Sequence, residues 1–218
     1  MRNKHIQGLV RKGPDAQSVN FYVSMFDPIA RFIDSLQPKM KKANGIKHSV
    51  ITGDATLSTI LENPRWQLWP GNEGLPEPRY TNLHLIKHLT PNAKIIILFR
   101  DPIDRLFSEF NSMIGGNDTI RELFHSQVVL AVDVYKDCFQ RHTFRRCAYN
   151  ETIKKYLKQR GILFAESFHG GFYPFVIREV YSVFDKENVL PLVLYDKSYN
   201  MVATMKRLLI FLSLGKSD

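Results

Sequence analysis

The chain has 218 residues, 44% hydrophobic and 12% aromatic, a composition typical of a folded globular protein rather than a disordered one. We therefore expect a single domain over residues 1–218 that buries a hydrophobic core. The 30 Lys and Arg exceed the 21 Asp and Glu, and the formal net charge of +9 favours an anionic partner: a phosphorylated cofactor, a sulfated glycan, an acidic membrane or a nucleic acid. Nucleic acid is the weakest of these, since no recognised nucleic-acid-binding motif accompanies the basic residues.

The first predicted helix covers residues 27–37, with its apolar side chains spaced along one face. A basic segment, residues 39–47, follows it and is interpreted as a solvated loop that turns at its Asn-Gly pair. Residues 49–56 then predict a short strand and a turn, with the next helix starting at Asp54 or Thr56. This arrangement places Asp54 and Thr56 at the carboxyl end of a strand, where α/β sheets bind ligands.

Residues 63–78 contain both tryptophans and several prolines and glycines, which predicts an ordered loop rather than a helix or strand. Trp66 and Trp69 could stack on sugar rings, or they could anchor the loop on the hydrophobic core. A helix over residues 80–89 is expected next, with its apolar side chains facing inward.

Residues 95–99 form a continuous apolar run rich in β-branched side chains, which predicts a strand of a parallel sheet buried on both faces. Asp101 is suited to cap the helix that follows, and Pro102 fits the first helical position. The sequence therefore predicts a strand that leads directly into a helix.

Arg100 ends this strand at its carboxyl end, and Ser108 lies about a turn and a half into the helix. A guanidinium, a hydroxyl and the N–H groups of a helix start together form a phosphate-binding site. A second explanation is that Arg100 and Arg105 only pair with Asp101 and Asp104 as salt bridges at the helix start. The spacing alone is compatible with both interpretations.

The helix predicted over residues 118–142 contains Cys138, and Cys147 lies just beyond its end. A disulfide between these two, the only cysteines, would fix the helix end and contribute about 2–3 kcal/mol in the chain-entropy model, but both could also be free core thiols. The same region carries N-glycosylation sequons at Asn117 and Asn150. Taken together, the cysteines and sequons favour an oxidising, lumenal compartment and predict glycosylation at both asparagines.

Further helices are predicted over residues 151–158 and 174–184, a strand over 188–195, and a last helix capped by Ser198. Pro191 favours an edge position or a bulge for this strand. The alternation of strands and helices predicts an α/β fold with a parallel sheet flanked by helices.

Membrane attachment is not predicted from these residues themselves. No apolar run approaches the roughly 20 residues that a transmembrane helix needs. The N-terminal residues are polar and lack a signal-peptide core. A lumenal location therefore implies a targeting segment upstream of this chain, through which any membrane attachment would be made.

Residues 100–110, Arg-Asp-Pro-Ile-Asp-Arg-Leu-Phe-Ser-Glu-Phe, closely resemble the 3′-phosphate-binding motif of sulfotransferases, Arg-x-Pro-x-x-Arg-x-x-Ser-x-Tyr/Phe. Arg100 and Ser108 keep the separation of eight that the motif requires. Segments along nearly the whole chain, among them residues 26–30 and 183–186 and the cysteine spacing, are similar to one branch of that family, the Golgi carbohydrate sulfotransferases.

The resemblance implies a P-loop-NTPase-like sulfotransferase fold and the sulfuryl donor 3′-phosphoadenosine 5′-phosphosulfate, with Arg100 and Ser108 holding its 3′-phosphate and no metal ion. It further implies transfer to a hydroxyl of N-acetylgalactosamine 4-sulfate in chondroitin or dermatan sulfate, by a type II membrane protein in the Golgi lumen. In this family the turn after an early strand faces the acceptor, which makes Asp54 and Thr56 candidate substrate contacts. Helix capping explains these two residues equally well.

Two family segments are not found in these 218 residues: the Lys-x-Gly-Thr-Thr loop that wraps the 5′-phosphosulfate, and the Lys-Glu-x-His segment whose Glu is the general base. We therefore expect the general base to lie upstream of Met1, together with the first strand and the phosphosulfate loop, and we expect the family's C-terminal region to be missing beyond Asp218. No catalytic residue is assigned within the chain. Because sulfuryl transfer depends on positioning, charge stabilisation and a base, we expect the parent protein to be an enzyme and this polypeptide alone to be inactive.

The alternative is a truncated relic that only binds nucleotide or sulfated glycan. Tyr195 also departs from the family, which usually shows Glu at the end of the last strand. A P-loop kinase or other NTPase is disfavoured, because the chain contains no Gly-x-x-x-x-Gly-Lys-Ser/Thr.

Overall fold

The structure is a computed structural model, and it describes residues 24, 26–36, 40–42, 45–47, 51–55, 63, 65–114, 120–194 and 200–214. Helices and strands alternate over the described part of the chain, as the sequence predicts. In chain order these elements are α1 (Asp27–Ser35), β1 (Met40–Lys42), β2 (Gly45–Lys47), α2 (Asn82–Leu89), β3 (Ile95–Phe99), α3 (Pro102–Ile114), α4 (Ile120–Arg141), α5 (Phe144–Ala148), α6 (Glu151–Gln159), α7 (Tyr173–Tyr181), β4 (Val189–Val193) and α8 (Met201–Phe211).

Strands β3 and β4 pair in parallel, with Ile95 opposite Val189 and Phe99 opposite Val193. The long connection between them contains helices α3 to α7, which is the crossover that a parallel pair requires. The predicted α/β class with a parallel sheet is therefore confirmed, and the described residues are consistent with the P-loop-NTPase-like sulfotransferase fold.

Pro191 lies within β4, opposite Ile97. The N–H of Leu194 donates to the carbonyl of Phe99 at 2.7 Å, which shows that this residue of the β4 segment faces β3. Because alternate residues of a strand face the same neighbour, residues 190 and 192 also face β3 and Pro191 faces away from it. The missing N–H of Pro191 therefore falls on the outer side of β4, in agreement with the predicted edge position.

The two faces of β3 differ in burial. Ile95 and Ile97 are each 8% exposed and pack against apolar side chains of α2, α7 and β4, including Leu83 and Val180. On the opposite face Leu98 is 59% exposed. The prediction of a strand buried on both faces is therefore wrong at Leu98, because α2 and α7 supply their apolar side chains to the other face.

The largest hydrophobic cluster lies between helices α3, α4 and α6 and the turns that follow α6. Aromatic rings meet at its centre, with Phe110 0% and Phe164 1% exposed and their centroids 6.2 Å apart. The disulfide between Cys138 and Cys147 joins α4 to α5 at the border of this cluster, with both cysteines buried. The cluster therefore supports one side of α3 from a covalently fixed pair of helices.

The loop before α2 is ordered by buried polar contacts. Trp66 is 3% exposed, and its indole N–H donates to the carbonyl of Tyr149 at 3.0 Å. Asn72 is fully buried, where its amide donates to the carbonyls of Trp66 and Tyr80 and accepts from the N–H groups of Arg79 and Tyr80. Trp66 is thus a core anchor, and the alternative interpretation of Trp66 as a sugar-stacking residue is wrong.

Three other predictions differ from the structure. The segment expected to be a solvated loop contains the antiparallel pair β1 and β2, in which Lys42 lies opposite Gly45. The strand expected from residue 49 is not seen in the described residues 51–55, which are exposed and have no regular secondary structure. Helix α8 is capped by Asn200, whose side chain accepts from the N–H of Ala203 at 3.0 Å; Ser198, the predicted cap, lies outside the described residues.

Candidate functional site

The centre of the candidate site is the junction between β3 and α3. The side chain of Asp101 accepts hydrogen bonds from the N–H groups of Ile103 at 2.9 Å and Asp104 at 3.0 Å. This is the predicted N-cap, and it satisfies N–H groups that a helix start leaves without intrahelical partners. The cap fixes the first turn of α3 at the residue that follows Arg100.

Arg100 and Ser108 lie on the two arms of this junction. Arg100 is half-buried directly after the last residue of β3, and Ser108 is exposed on α3. Ser108 lies six residues after Pro102, which corresponds to about 9 Å along the helix axis. Since Cα–Cβ bonds of a helix tilt toward its N-terminus, the Ser108 side chain is inclined toward the end of the helix at which Arg100 lies.

The partners of Arg105 differ from the salt-bridge partners that the sequence suggests. Its guanidinium pairs with Glu109 at 3.1 Å, one helical turn further along α3, and donates to the carbonyl of Ser167 at 3.2 Å. The hydroxyl of Ser167 in turn donates to Glu109 at 2.6 Å. These three residues, here called the Arg105 clamp, tie α3 to the segment that precedes α7, so the explanation of Arg105 as a partner of Asp101 or Asp104 is wrong.

The first residue of α7 and the segment before it form one side of the site. The ring of Tyr173 packs against Phe99, the last residue of β3, with centroids 4.6 Å apart. Gly171 passes close to the start of α3: a Cβ added there would lie 3.6 Å from an Arg105 guanidinium nitrogen and 3.8 Å from the Pro102 Cβ. The carboxyl end of β3, the first turn of α3 and the residues before α7 therefore lie together.

Of the other predicted ligand and glycosylation residues, the structure describes only Asp54 and Asn150. Asp54 is on the exposed segment 51–55, whereas Thr56 and Asn117 lie outside the described residues. Asn150 caps α6, with its side-chain oxygen accepting from the N–H of Thr152 at 2.9 Å. A glycan would be attached through the amide nitrogen of Asn150, so the cap and the predicted glycosylation are chemically compatible.

The structure does not test the predicted position of the general base. Met1 and the residues next to it lie outside the described part of the chain. The position of the base therefore stays a prediction, and no catalytic residue is assigned in the described part of the chain.

A second arginine-centred cluster joins α5 to α7. Arg145 forms two hydrogen bonds with the buried carboxylate of Glu179, at 2.8 and 3.1 Å, and donates to the carbonyl of Pro78. Tyr149 donates to the same carboxylate at 2.9 Å, and Glu77 lies 3.7 Å from Arg145. We call these five residues the Arg145 network.

The electrostatics of the Arg145 network favour an ionised Arg145–Glu179 pair. Burial lowers the pKa of Arg145, but the hydrogen bonds and charge of Glu179 outweigh it, so that its pKa lies above the usual value. Burial raises the pKa of Tyr149, and the charge of Glu179 raises it further, so that Tyr149 stays a neutral donor. Burial lowers the pKa of nearby His84, and the positive charge of Arg145 adds to this effect.

Sequence reasoning missed the partners in both arginine clusters. The pairing of Arg105 with Glu109 has a local signal, the spacing of four on one helix, which the motif assignment overlooked. Ser167 and Glu179 have no such signal, because they lie 62 and 34 residues from the arginines that they contact.

Among the described residues, no group of three or more His, Cys, Asp or Glu side chains is arranged to hold a metal ion. None of the helices in the described part of the chain is both long and apolar enough to span a membrane.

Comparison with known proteins places the chain in a family. The sequence profile of the sulfotransferase family matches residues 26–155, which include the β3–α3 junction, and the chain belongs to this family. Over 202 residues it is 30% identical to human carbohydrate sulfotransferase 15, and 29% identical to the proteins of the same name from Mus musculus and Rattus norvegicus. These alignments cover 92% of this chain but only 35% of each relative's length. No solved structure matches the chain significantly.

Proposed function

We propose that the β3–α3 junction binds the 3′-phosphate of 3′-phosphoadenosine 5′-phosphosulfate, with Arg100 and Ser108 as the phosphate contacts. The observation that carries the proposal is the Asp101-capped helix start, with Arg100 on one side of it and an exposed Ser108 inclined toward it. A doubly charged phosphate gains most from a guanidinium and from the positive end of a helix, both of which this junction offers.

The proposed reaction is transfer of the sulfuryl group to a carbohydrate hydroxyl, in N-acetylgalactosamine 4-sulfate of chondroitin or dermatan sulfate. Two features support a polyanionic acceptor: the net charge of +9 and the similarity to carbohydrate sulfotransferase 15. Asp54 and Thr56 are proposed as acceptor contacts. The proposed location is the Golgi lumen, an oxidising compartment in which the Cys138–Cys147 disulfide would persist.

The test of the donor site is calorimetric titration of the purified 218-residue chain with adenosine 3′,5′-bisphosphate, the product of the donor. We expect saturable binding by the wild type and loss of binding in the Arg100→Ala, Ser108→Ala double variant. Ser112→Ala is the matched control, because Ser112 is exposed on the same helix and its hydroxyl donates only to the carbonyl of Glu109, at 2.7 Å. A folded wild type that does not bind, or a double variant that binds equally well, would refute the proposed site.

Transfer of the sulfuryl group requires more than donor binding. The chain contains neither a Lys-x-Gly-Thr-Thr loop nor a Lys-Glu-x-His segment, so we expect these 218 residues alone to bind the donor without transferring its sulfuryl group. The test incubates the chain with sulfur-labelled donor and chondroitin 4-sulfate at donor concentrations that the titration shows to be saturating. Label in the glycan would contradict the expected inactivity and would identify the acceptor at the same time.

A further inference from the structure

Two residues of the Arg105 clamp, Arg105 and Glu109, lie on the helix that carries the proposed phosphate contact Ser108, but on a different face of it. Residues of an α-helix follow one another at about 100°, so Arg105 and Glu109, four apart, share one face. Leu106 and Phe110 point into the core, at 6% and 0% exposure. Ser108 projects from a third face, which is exposed.

Apolar packing holds α3 on one side only, since Ile103 and Met113 on the same helix are 68% and 52% exposed. Such packing alone leaves the rotation of the helix about its axis loosely defined. The clamp adds directional contacts on a second side: Arg105 reaches Glu109 and the Ser167 carbonyl, while the Ser167 hydroxyl reaches the other oxygen of Glu109. Both charged side chains are about three-quarters buried, at 28% and 26% exposure, so solvent screens this pair less than a surface ion pair.

We infer that Arg105 is a positioning residue of the nucleotide site: through Glu109 and Ser167 it fixes the rotation of α3, and thereby the direction in which Ser108 meets the 3′-phosphate. This inference rests on the proposed function and deepens it. It differs from a direct phosphate contact by Arg105, because the guanidinium nitrogens that form these bonds are directed at Glu109 and Ser167.

The direction in which Glu109→Gln changes nucleotide affinity distinguishes a positioning role of the clamp from a purely electrostatic effect of its charges. Glu109→Gln removes a negative charge near an anion site, so electrostatics alone would tighten the binding of adenosine 3′,5′-bisphosphate. It also removes the ionic partner of Arg105, so a clamp that positions Ser108 predicts weaker binding. We expect about a tenfold increase in the dissociation constant, because small displacements of a binding group have large effects.

The other clamp variants are also expected to weaken nucleotide binding. Arg105→Ala is expected to weaken binding by about tenfold, and Arg105→Lys by less, because an ammonium keeps the charge but lacks the fork that reaches two acceptors. Ser167→Ala removes the hydrogen bond to Glu109 and is expected to weaken binding by about threefold. The Arg105→Ala, Ser167→Ala double variant is expected to lose less than the product of the single effects, since the residues act as one unit.

Gln127→Ala is the matched control for stability. Gln127 is buried and joins α4 to the turn after α6, donating to the carbonyl of Gly161 and accepting from the N–H of Leu163, both at 3.1 Å. Its loss should lower the melting temperature without changing the dissociation constant. All constants are measured by calorimetry well below the lowest melting temperature in the set.

The outcomes are distinct. If the wild type does not bind the nucleotide, the proposed function fails. If the wild type binds and Glu109→Gln binds equally well or more tightly, the proposed function stands and the positioning role of Arg105 is refuted. If Gln127→Ala weakens binding as much as Arg105→Ala, the effect of the clamp is only one of general stability, and the inference is also refuted.

Discussion

The Arg145 network lies between helices, whereas the β3–α3 junction lies at the surface end of the sheet. In the network, the charged and hydroxyl groups of Arg145, Tyr149 and Glu179 bond to one another and to a backbone carbonyl. At the junction, backbone groups are satisfied by Asp101, while Ser108 presents its side chain to solvent. The contrast indicates different roles: the network holds helices in place, whereas the junction leaves Ser108 accessible to the proposed ligand.

The largest effect is expected from Glu179→Ala, which leaves the Arg145 charge without its main partner in a partly buried place. Removing one member of such a pair costs about 3 kcal/mol of the free energy of unfolding. Urea unfolding measures the loss, and nucleotide titration of the folded variant is expected to give an unchanged dissociation constant. A variant that kept its stability and lost its affinity would contradict the structural role of the Arg145 network.

Arg141→Ala is the control for that change. Arg141 also pairs with a carboxylate, that of Asp137, but the two side chains are 65% and 61% exposed. An exposed pair of this kind contributes at most about 0.5 kcal/mol. A similar loss in both variants would show that the burial of Glu179 has no special effect.

A smaller effect concerns pH, through His84 at the border of the network. Burial and the Arg145 charge favour the neutral ring in the folded protein, so its pKa lies below the ordinary value of 6.5. The unfolded chain then takes up the proton first as the pH falls. The stability contributed by the neutral ring is complete above pH 6.5 and is lost as the pH falls through 6.5 toward the pKa of the folded protein.

His84→Gln tests this dependence with little change to the helix. His84 accepts from the N–H of Thr81 at 3.3 Å in the capping box of α2, and glutamine is a favoured residue at this position of the box. Between about pH 8 and about pH 5.5 we expect the wild type to lose more stability than the variant. Parallel melting curves across this interval would rule out a contribution from His84.

Another modest change in stability is expected at Tyr135, whose polar hydroxyl lies in the hydrophobic interior. Tyr135 is 1% exposed among aromatic rings, and its hydroxyl has no hydrogen-bond partner in the described part of the chain. A buried hydroxyl without a partner is unfavourable, so Tyr135→Phe is expected to raise the free energy of unfolding by up to about 1 kcal/mol. Destabilisation by this change, measured in urea, would reveal a hydrogen bond to the rest of the chain.

The sequence predicted the junction well because its signals are local. The apolar run of β3, the cap at Asp101 and the proline at the first helical position lie within eight residues and require no knowledge of the remainder of the fold. The alternation of strands and helices likewise predicted a parallel sheet, and Pro191 within its own strand favoured an edge position or a bulge. Patterns of this kind are read directly from neighbouring side chains.

The contacts that hold the junction in place could not be predicted in the same way. Ser167 meets Glu109 across 58 residues, and Trp66 meets Tyr149 across 83. Such pairs depend on how helices pack, which periodicity does not specify. The exposure of Leu98 was missed for the same reason, since an apolar run indicates a strand but not which of its faces a helix will cover.

Pro191 has a consequence for how this sheet can grow. Strand β4 has no N–H at Pro191 on its outer side, so a strand added there would lose a hydrogen bond at the middle of the ladder. Strand β3 contains no proline, and its outer edge carries the N–H groups of Ile96 and Leu98 at regular intervals. The proline thus limits where the sheet can be extended. An additional strand, from this chain or from another, can form a continuous ladder beside β3 and not beside β4.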